Sequence, residues 1–372
     1  MLEKGQISAF QMGLIMYPVI LATGFLSLPA ISAQYARNDL WLSPLVASVS
    51  GFISIFVALR LHALYPKLTI AQYSELIVGR WIGKAIGIVV IIFLVHITGI
   101  IVREYADFVT GCFLVKTPTL MVVSSIILLA AFAVRGGVEL LARSALIFTP
   151  IFILPIIVLL LLIPDLDVTN LFPVLDHGWI PVFKGAATPQ AWFSEFYLIS
   201  FFLPSLSDPH KGKKWSVISL CAVVLSLTYV NLITLFLLGP DTGIKMYPVL
   251  NSYRYISFGH FFENTESLLL AMWVVGNFIK IGGFYYAATH SLGAWLKMTD
   301  IRPLVFPVGL LTIISSFWDL PNFSRMGSYI STVLPFEIPA VFILIPLFLL
   351  LVATIRKRKV AGMPGKESST KE

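Results

Sequence analysis

Long apolar runs separated by short polar connections occupy the chain from residue 8 to residue 355. A bilayer core of about 30 Å takes roughly 20 apolar residues per helix. On that ruler the pattern predicts ten membrane spans, near 8–35, 40–63, 81–110, 119–135, 143–163, 186–206, 215–239, 266–296, 303–317 and 334–355. The first run opens after Glu3 and Lys4 and carries no A-x-A site, so it is expected to stay as the first span. Two connections are longer than the rest, near 164–185 and 240–265. The second is rich in aromatics (Tyr247, Tyr253, Tyr255, Phe258, Phe261, Phe262) and reads as an interfacial or re-entrant segment folded over the bundle.

Composition removes the soluble alternatives. Hydrophobic residues make up 58% of the 372 positions, charged residues 12%, and mean hydropathy is +0.89, whereas soluble domains are about 45–50% apolar and about 25% charged. The net charge of +7 does not point to nucleic acid, because the basic residues sit in the short connections. There they report orientation. Of the 26 Lys and Arg, 18 fall on the face carrying the N-terminus, 7 on the opposite face, and Lys280 within a span. Both termini are therefore expected in the cytoplasm. The bundle, residues 1–355, is read as one domain, with a basic and then polar tail over 356–372 that is small-sided and without fixed structure at its end. Cys112 and Cys221 form no CxxC and support neither a disulfide framework nor a zinc site.

Helix breakers carry more information in lipid than in water, since a freed backbone group must find a partner or line a cavity. The first span runs Tyr17-Pro18 through Ala22-Thr23-Gly24 to Leu28-Pro29, and a break is expected at Ala22 to Gly24. The sixth is framed by Pro189 and Pro204 with Glu195 between them. If ten spans are two sets of five, about 8–163 and 186–355, these two are the first of each set. Interrupted helices at matching positions mark the midplane site of inverted-repeat transporters.

Ionisable groups at mid-bilayer cost at least about 2.5–3.5 kcal/mol and are functional candidates by default. Lys280 lies midway along the eighth span and Glu195 midway along the sixth. A Lys280–Glu195 pair would remove both unpaired burial costs; alternatively the ammonium takes the place of a coupling cation beside the carbonyls of a broken helix. Arg103, Glu104 and Asp107 share spacings of three and four near the outer end of the third span, as a vestibule network or as headgroup-level charges. His96, deeper in that span, is either a titrating group or a packing residue. Gly276, Gly282, Gly283, Ala287 and Ala288 make the eighth span small-sided and suited to close helix packing. No Walker A, GxGxxG in strand–helix context, HExxH, GxSxG or metal-spaced His/Cys cluster occurs, so neither an enzyme nor a cofactor is expected.

The run Glu3-Lys4-Gly5-Gln6-Ile7-Ser8-Ala9-Phe10-Gln11, the stretch ending Gly24-Phe25-Leu26-Ser27-Leu28-Pro29, the Glu195 to Pro204 stretch and the Trp273 to Tyr286 stretch with its central lysine resemble the GerAB-like spore germination family, the B subunits of endospore germinant receptors. The resemblance covers essentially the whole chain. It implies membership of the amino acid-polyamine-organocation superfamily and an all-α polytopic fold, a LeuT-like 5+5 inverted repeat with broken helices 1 and 6. It further implies recognition of a small germinant, an amino acid or a sugar, in a complex with A and C subunits in the spore inner membrane. Carried onto this sequence, the implied ligand site comprises Ala22, Thr23 and Gly24, His96 and Ile100, Glu195 and Leu198, and Lys280 and Phe284. The rival reading is a self-sufficient proton- or sodium-coupled amino acid transporter that uses the same site.

Overall fold

A computed structural model describes residues 5–256, 265–318 and 323–361. Its helices are α1 (Ala9–Ala36), α2 (Ser43–Leu64), α3 (Ile70–Val78), α4 (Arg80–Cys112), α5 (Thr119–Arg135), α6 (Val138–Val158), α7 (Trp179–Ser194), α8 (Ile199–Phe202), α9 (Gly212–Leu238), α10 (Pro248–Tyr255), α11 (Glu266–Trp295), α12 (Arg302–Trp318), α13 (Phe323–Thr332), α14 (Leu334–Pro339) and α15 (Ile345–Ala361). All ten apolar segments are helical. The sixth is α7 and α8 together, and the tenth is α14 and α15. The pattern missed α3 and α13, which are too short to cross a bilayer. The expected tail lies outside the described residues beyond Ala361, as do Phe258, Phe261 and Phe262 of the aromatic connection.

The lipid-facing side chains are apolar, and the few mid-span polar groups are buried within a largely apolar core. Ile92, Leu129, Ile157 and Leu225 are exposed, whereas Thr23, Glu195, Asn277 and Lys280 are buried. In hydrocarbon this arrangement is the stable one, since exposed polar groups would go unsolvated. α1 runs through the centre, packed against α6, α7, α9 and α11. It starts where the sequence puts a capping box: Ser8 Oγ accepts from the Gln11 amide at 3.2 Å, and Gln11 Oε1 accepts from the Ser8 amide at 2.8 Å. Just before it, the Ile7 amide donates to Ser205 O and the Ser207 amide donates to Ile7 O, both at 2.9 Å. That clasp ties the start of α1 to the end of the sixth segment.

α1 does not break at Ala22 to Gly24 as expected; its helical pattern is continuous from Ala9 to Ala36. A proline removes the hydrogen bond to the carbonyl four residues back, and here other helices satisfy the freed group. Pro18 orphans Leu14 O, which accepts from the Thr149 hydroxyl of α6 at 3.0 Å. In the sixth segment Pro189 orphans Gly185 O, which accepts from the Ser32 hydroxyl of α1 at 3.3 Å. The sixth segment does depart from the α-helix, through a 3-10 turn at Glu195–Leu198, the single turn of α8, and a second 3-10 turn at Leu203–Ser205. A further irregularity absent from the sequence reading is a π-turn at Ala340–Leu344 between α14 and α15, beside Pro335 and Pro339.

On the face away from the N-terminus, called the far face below, α10 lies over the bundle against α1, α9 and α11. The Tyr253 hydroxyl is buried and donates to Pro155 O at 2.5 Å, and Tyr247 packs edge-on against Phe108 at 5.0 Å. The aromatic connection is thus folded over the helices along its described residues.

Candidate functional site

The sixth segment leaves the α-helix at Glu195, and there its carboxylate meets a cation. Lys280 Nζ donates to Glu195 Oε2 at 2.7 Å, with the two side chains 0% and 1% exposed. The ion pair offered as one of two sequence readings is therefore the one observed, bridging α11 to the interrupted helix. Its setting is otherwise apolar: Lys280 Nζ stands 5.7 Å from the Phe284 ring centroid, and Leu198 and Phe202 come up against Gly283 of α11.

α1 supplies the opposite wall. Gly24 lies directly under the Trp192 indole, and a Cβ there would sit 3.2 Å from the ring. Ala22 lies against Gly276 of α11, where an added Cβ would stand 3.3 Å from the Ala22 methyl and 2.3 Å from the Phe152 ring. Thr23 is 1% exposed, and its hydroxyl has no hydrogen-bond partner among the described residues. It is one of several buried polar atoms of the bundle without a partner among the described residues, and it is the one that α1 brings to this junction. Glu195, Leu198, Lys280 and Phe284 belong to the same buried α7–α8–α11 junction that α1 packs against. Trp192 had no signal of its own in the sequence beyond its place in the sixth segment.

Toward the N-terminal face the junction is closed by aromatics. Tyr197, two residues past Glu195, shares a 2.5 Å hydroxyl–hydroxyl hydrogen bond with Tyr73 of α3. Phe342 of the π-turn packs against Tyr197, Phe284 and Phe93 at 5.8, 6.2 and 5.2 Å between centroids.

On α4, Ile100 is buried, while His96 faces α13 and α14. His96 Nε2 lies 3.2 Å from the Tyr329 hydroxyl and 3.4 Å from Glu337 Oε1, and Tyr329 also donates to Glu337 Oε2. Sequence alone offered no partner for His96, because Tyr329 lies in the poorly patterned stretch before the last span, Glu337 lies in that span's first turn, and no spacing ties either to α4. Near the far end of α4, Arg103 pairs with Asp107 at 2.8 Å with its guanidinium over the Phe317 ring. Glu104 takes no part in that pair. It lines a far-face cavity of about 340 Å³ together with Ser27, Gln34, Lys245 and Tyr247. Ser27 is one turn beyond Thr23, and its hydroxyl reaches Thr23 O at 3.4 Å.

No group of three or more His, Cys, Asp or Glu side chains with the makings of a metal site occurs among the described residues. Outside the membrane the far face is pinned by polar contacts. Asp39 accepts from the Leu175 amide at 3.0 Å, and Thr169 donates to Asp167 from both hydroxyl and amide. The Thr169 hydroxyl, with its amide, holds the Asp167 carboxyl below the usual aspartate value.

The family model described as "Spore germination protein" matches residues 6–324. The chain belongs to the spore germination protein family. It is 26% identical over 362 residues to spore germination protein YndE of Bacillus subtilis (strain 168), covering 95% of this chain and 98% of that one. With spore germination protein KB of the same organism it shares 25% over 374 residues, covering 99% and 100%. Among solved structures it resembles Mhp1, a nucleobase-cation-symport-1 family transporter in a closed conformation with bromovinylhydantoin bound (TM-score 0.69, 10% identity, 96% of this chain and 80% of that one). It also resembles a manganese transporter mutant of Eremococcus coleocola (TM-score 0.58, 13% identity, 94% and 81%). At these identities the likeness is one of fold: this is a LeuT-type, all-α integral membrane protein.

Proposed function

We infer that this chain is the membrane-embedded, ligand-binding B subunit of a spore germinant receptor. A small germinant, an amino acid or a sugar, binds where α1 meets the interrupted sixth segment and α11. The residues that hold it are Ala22, Thr23 and Gly24, Glu195 and Leu198, and Lys280 and Phe284, with Ile100 and His96 on the α4 side. The observation that carries this reading is the coincidence, in one buried junction, of an ion pair, a local loss of α-helix and an unpartnered threonine hydroxyl. Each costs stability in an apolar medium, and a polar ligand repays that cost.

Binding has to favour one arrangement of the bundle over another, because a ligand with equal affinity for both shifts nothing. The Lys280–Glu195 bridge and the Tyr197–Tyr73 bond are the contacts that such a shift would rearrange. The A and C subunits of the receptor would read the change in the spore inner membrane, with both termini of this chain in the cytoplasm and its halves, about 8–163 and 186–355, moving against each other. No catalytic step is assigned to it.

The test is ligand-dependent thermal stabilisation of the purified chain by a panel of amino acids and sugars, followed by uptake assays in liposomes. The expected result is stabilisation by one ligand class, lost in Gly24→Leu, whose side chain would collide with Trp192, and no accumulation by the chain alone. Concentrative uptake driven by a proton or sodium gradient would instead establish the self-sufficient transporter.

A further inference from the structure

We propose that the groove where α1, α6 and α9 meet, toward the N-terminal face, is a binding site for one anionic phospholipid, with an acyl chain laid between the helices and the headgroup phosphate met by Lys213 and Lys214. The site uses the part of α1 before Pro18 and is separate from the junction at Glu195 and Lys280.

The starts of α1 and α9 stand side by side. The Ala9 amide donates to Asp208 Oδ1 at 2.7 Å, and Phe10 packs edge-on against Trp215 at 4.8 Å between centroids. Gly13 sets how near the two helices come, since a Cβ there would lie 3.2 Å from Trp215 O. Beside this contact lies a groove of about 190 Å³ lined by Phe10, Leu14, Ile153, Trp215, Ile218 and Ala222. Phe10 and Ile218 are exposed and Leu14, Ile153 and Ala222 half-buried, so the groove opens out of the bundle. One turn of an α-helix about 10 Å across takes about 400 Å³, which is too much for this space. A single hydrocarbon chain fits it.

The residues of α9 along the groove order its chemistry by depth. Lys214 shares their face, one turn before Ile218, and its ammonium stands 6.0 Å from the Trp215 ring centroid. Lys213 and Lys214 are exposed and have no ion pair among the described residues, whereas Lys211 is taken by Asp208 at 3.6 Å. Two unneutralised cations at a membrane surface attract anionic headgroups. Trp215 comes next, as an amphipathic ring at the interface does. One turn further in, Ser219 is 5% exposed and its hydroxyl has no partner among the described residues. Two other hydroxyls of the groove are spent: Thr149 donates to Leu14 O at 3.0 Å, and Tyr17 shares a 2.7 Å bond with Ser226. A lipid ester carbonyl accepts hydrogen bonds and has no donor of its own, so it matches the Ser219 hydroxyl. Leu14, Ile153 and Ala222 then offer only apolar surface. Cations, ring, lone donor and apolar slot follow the order of phosphate, interface, ester and chain in a phospholipid.

The experiment uses the full chain, purified and delipidated in detergent, and reads bound mass by native mass spectrometry together with thermal stabilisation. The probes are phosphatidylglycerol, phosphatidylcholine with identical acyl chains, oleate and inorganic phosphate. The expected result is a single phosphatidylglycerol adduct that stabilises the chain and binds about ten- to thirtyfold more tightly than phosphatidylcholine, the size expected of two surface lysines. Oleate and phosphate should do neither. Changing both Lys213→Gln and Lys214→Gln should level the two phospholipids, and Ala222→Phe, which fills the slot, should remove the adduct. Ser219→Ala should weaken phosphatidylglycerol about fivefold without lowering the stability of the lipid-free chain, a result that a purely structural hydroxyl would not give. Affinities for the two phospholipids within about twofold of each other, an adduct that survives Ala222→Phe, or stabilisation by phosphate or oleate equal to that by phosphatidylglycerol would each overturn the proposal. So would photo-crosslinking from position 218 to another polypeptide in native membranes, which would assign the groove to a partner helix. If Ala222→Phe does not fold, the lysine and Ser219→Ala variants decide.

Discussion

α1 and the sixth segment carry the same kind of breaker and behave differently. Each has a proline in its membrane-spanning part, Pro18 and Pro189, and each proline's orphaned carbonyl is taken by a hydroxyl from another helix. Yet α1 stays α-helical from Ala9 to Ala36, while the sixth segment gives way to a 3-10 turn six residues past its proline. The site of the departure is Glu195, the residue that reaches Lys280. In this bundle the rescued proline is a tolerated irregularity, and the helix changes form where a buried charge meets its counter-ion.

The largest test of that contrast removes the counter-ion. Lys280→Met leaves Glu195 buried and unpaired and is expected to destabilise the chain by about 3–5 kcal/mol, read as loss of folded protein in detergent unfolding. Adding Glu195→Gln should restore most of the loss, giving a coupling energy well above zero. Independent, additive losses would mean the pair does not brace the interruption.

Next is the packing that holds the two helices' common partner, α11, in place. A side chain at Gly276 would run into the Phe152 ring, so Gly276→Val is expected to cost about 1–3 kcal/mol or more. Gly283→Ala, where the nearest atom is 3.4 Å from the new Cβ, is expected to be mild. Equal effects at the two glycines would show that close approach is not what the small residues provide.

A smaller effect sharpens the account of α1. Thr149→Val leaves the Leu14 carbonyl without its donor and is expected to cost about 1–3 kcal/mol. In that background Pro18→Ala restores a backbone donor to Leu14, so the double variant should be more stable than Thr149→Val alone. The smallest effect lies outside the membrane. Because Thr169 lowers the folded-state value of Asp167, the Asp167–Thr169 turn contributes its full stability above the ordinary aspartate range of about 4 and loses it as pH falls through the lower folded value. Hydrogen exchange of the Thr169 amide should accelerate only below that range.

How much of this was legible in the sequence follows the same division. The ten apolar segments were legible because lipid imposes length and hydropathy on each helix locally. The Lys280–Glu195 pair was legible because intramembrane charges are few and each needs an opposite. The continuity of α1 was not, since the breaker is local while its rescuer is remote: Thr149 is 135 residues from Leu14. The same applies to Trp192 over Gly24 and to Tyr329 and Glu337 around His96, partners fixed by helix packing and not by spacing. α3 and α13 escaped because a helix of nine or ten residues leaves no bilayer-length signature.

The central claim, that ligand binds at the junction of α1 with the interrupted helix, is tested most directly by tryptophan fluorescence. Trp192 covers Gly24, so a germinant identified by thermal shift should produce a saturable change in intrinsic emission. The account predicts that this change disappears in Trp192→Phe while the thermal shift still reports binding. An undiminished change in Trp192→Phe, with binding intact, would contradict it and place the ligand elsewhere.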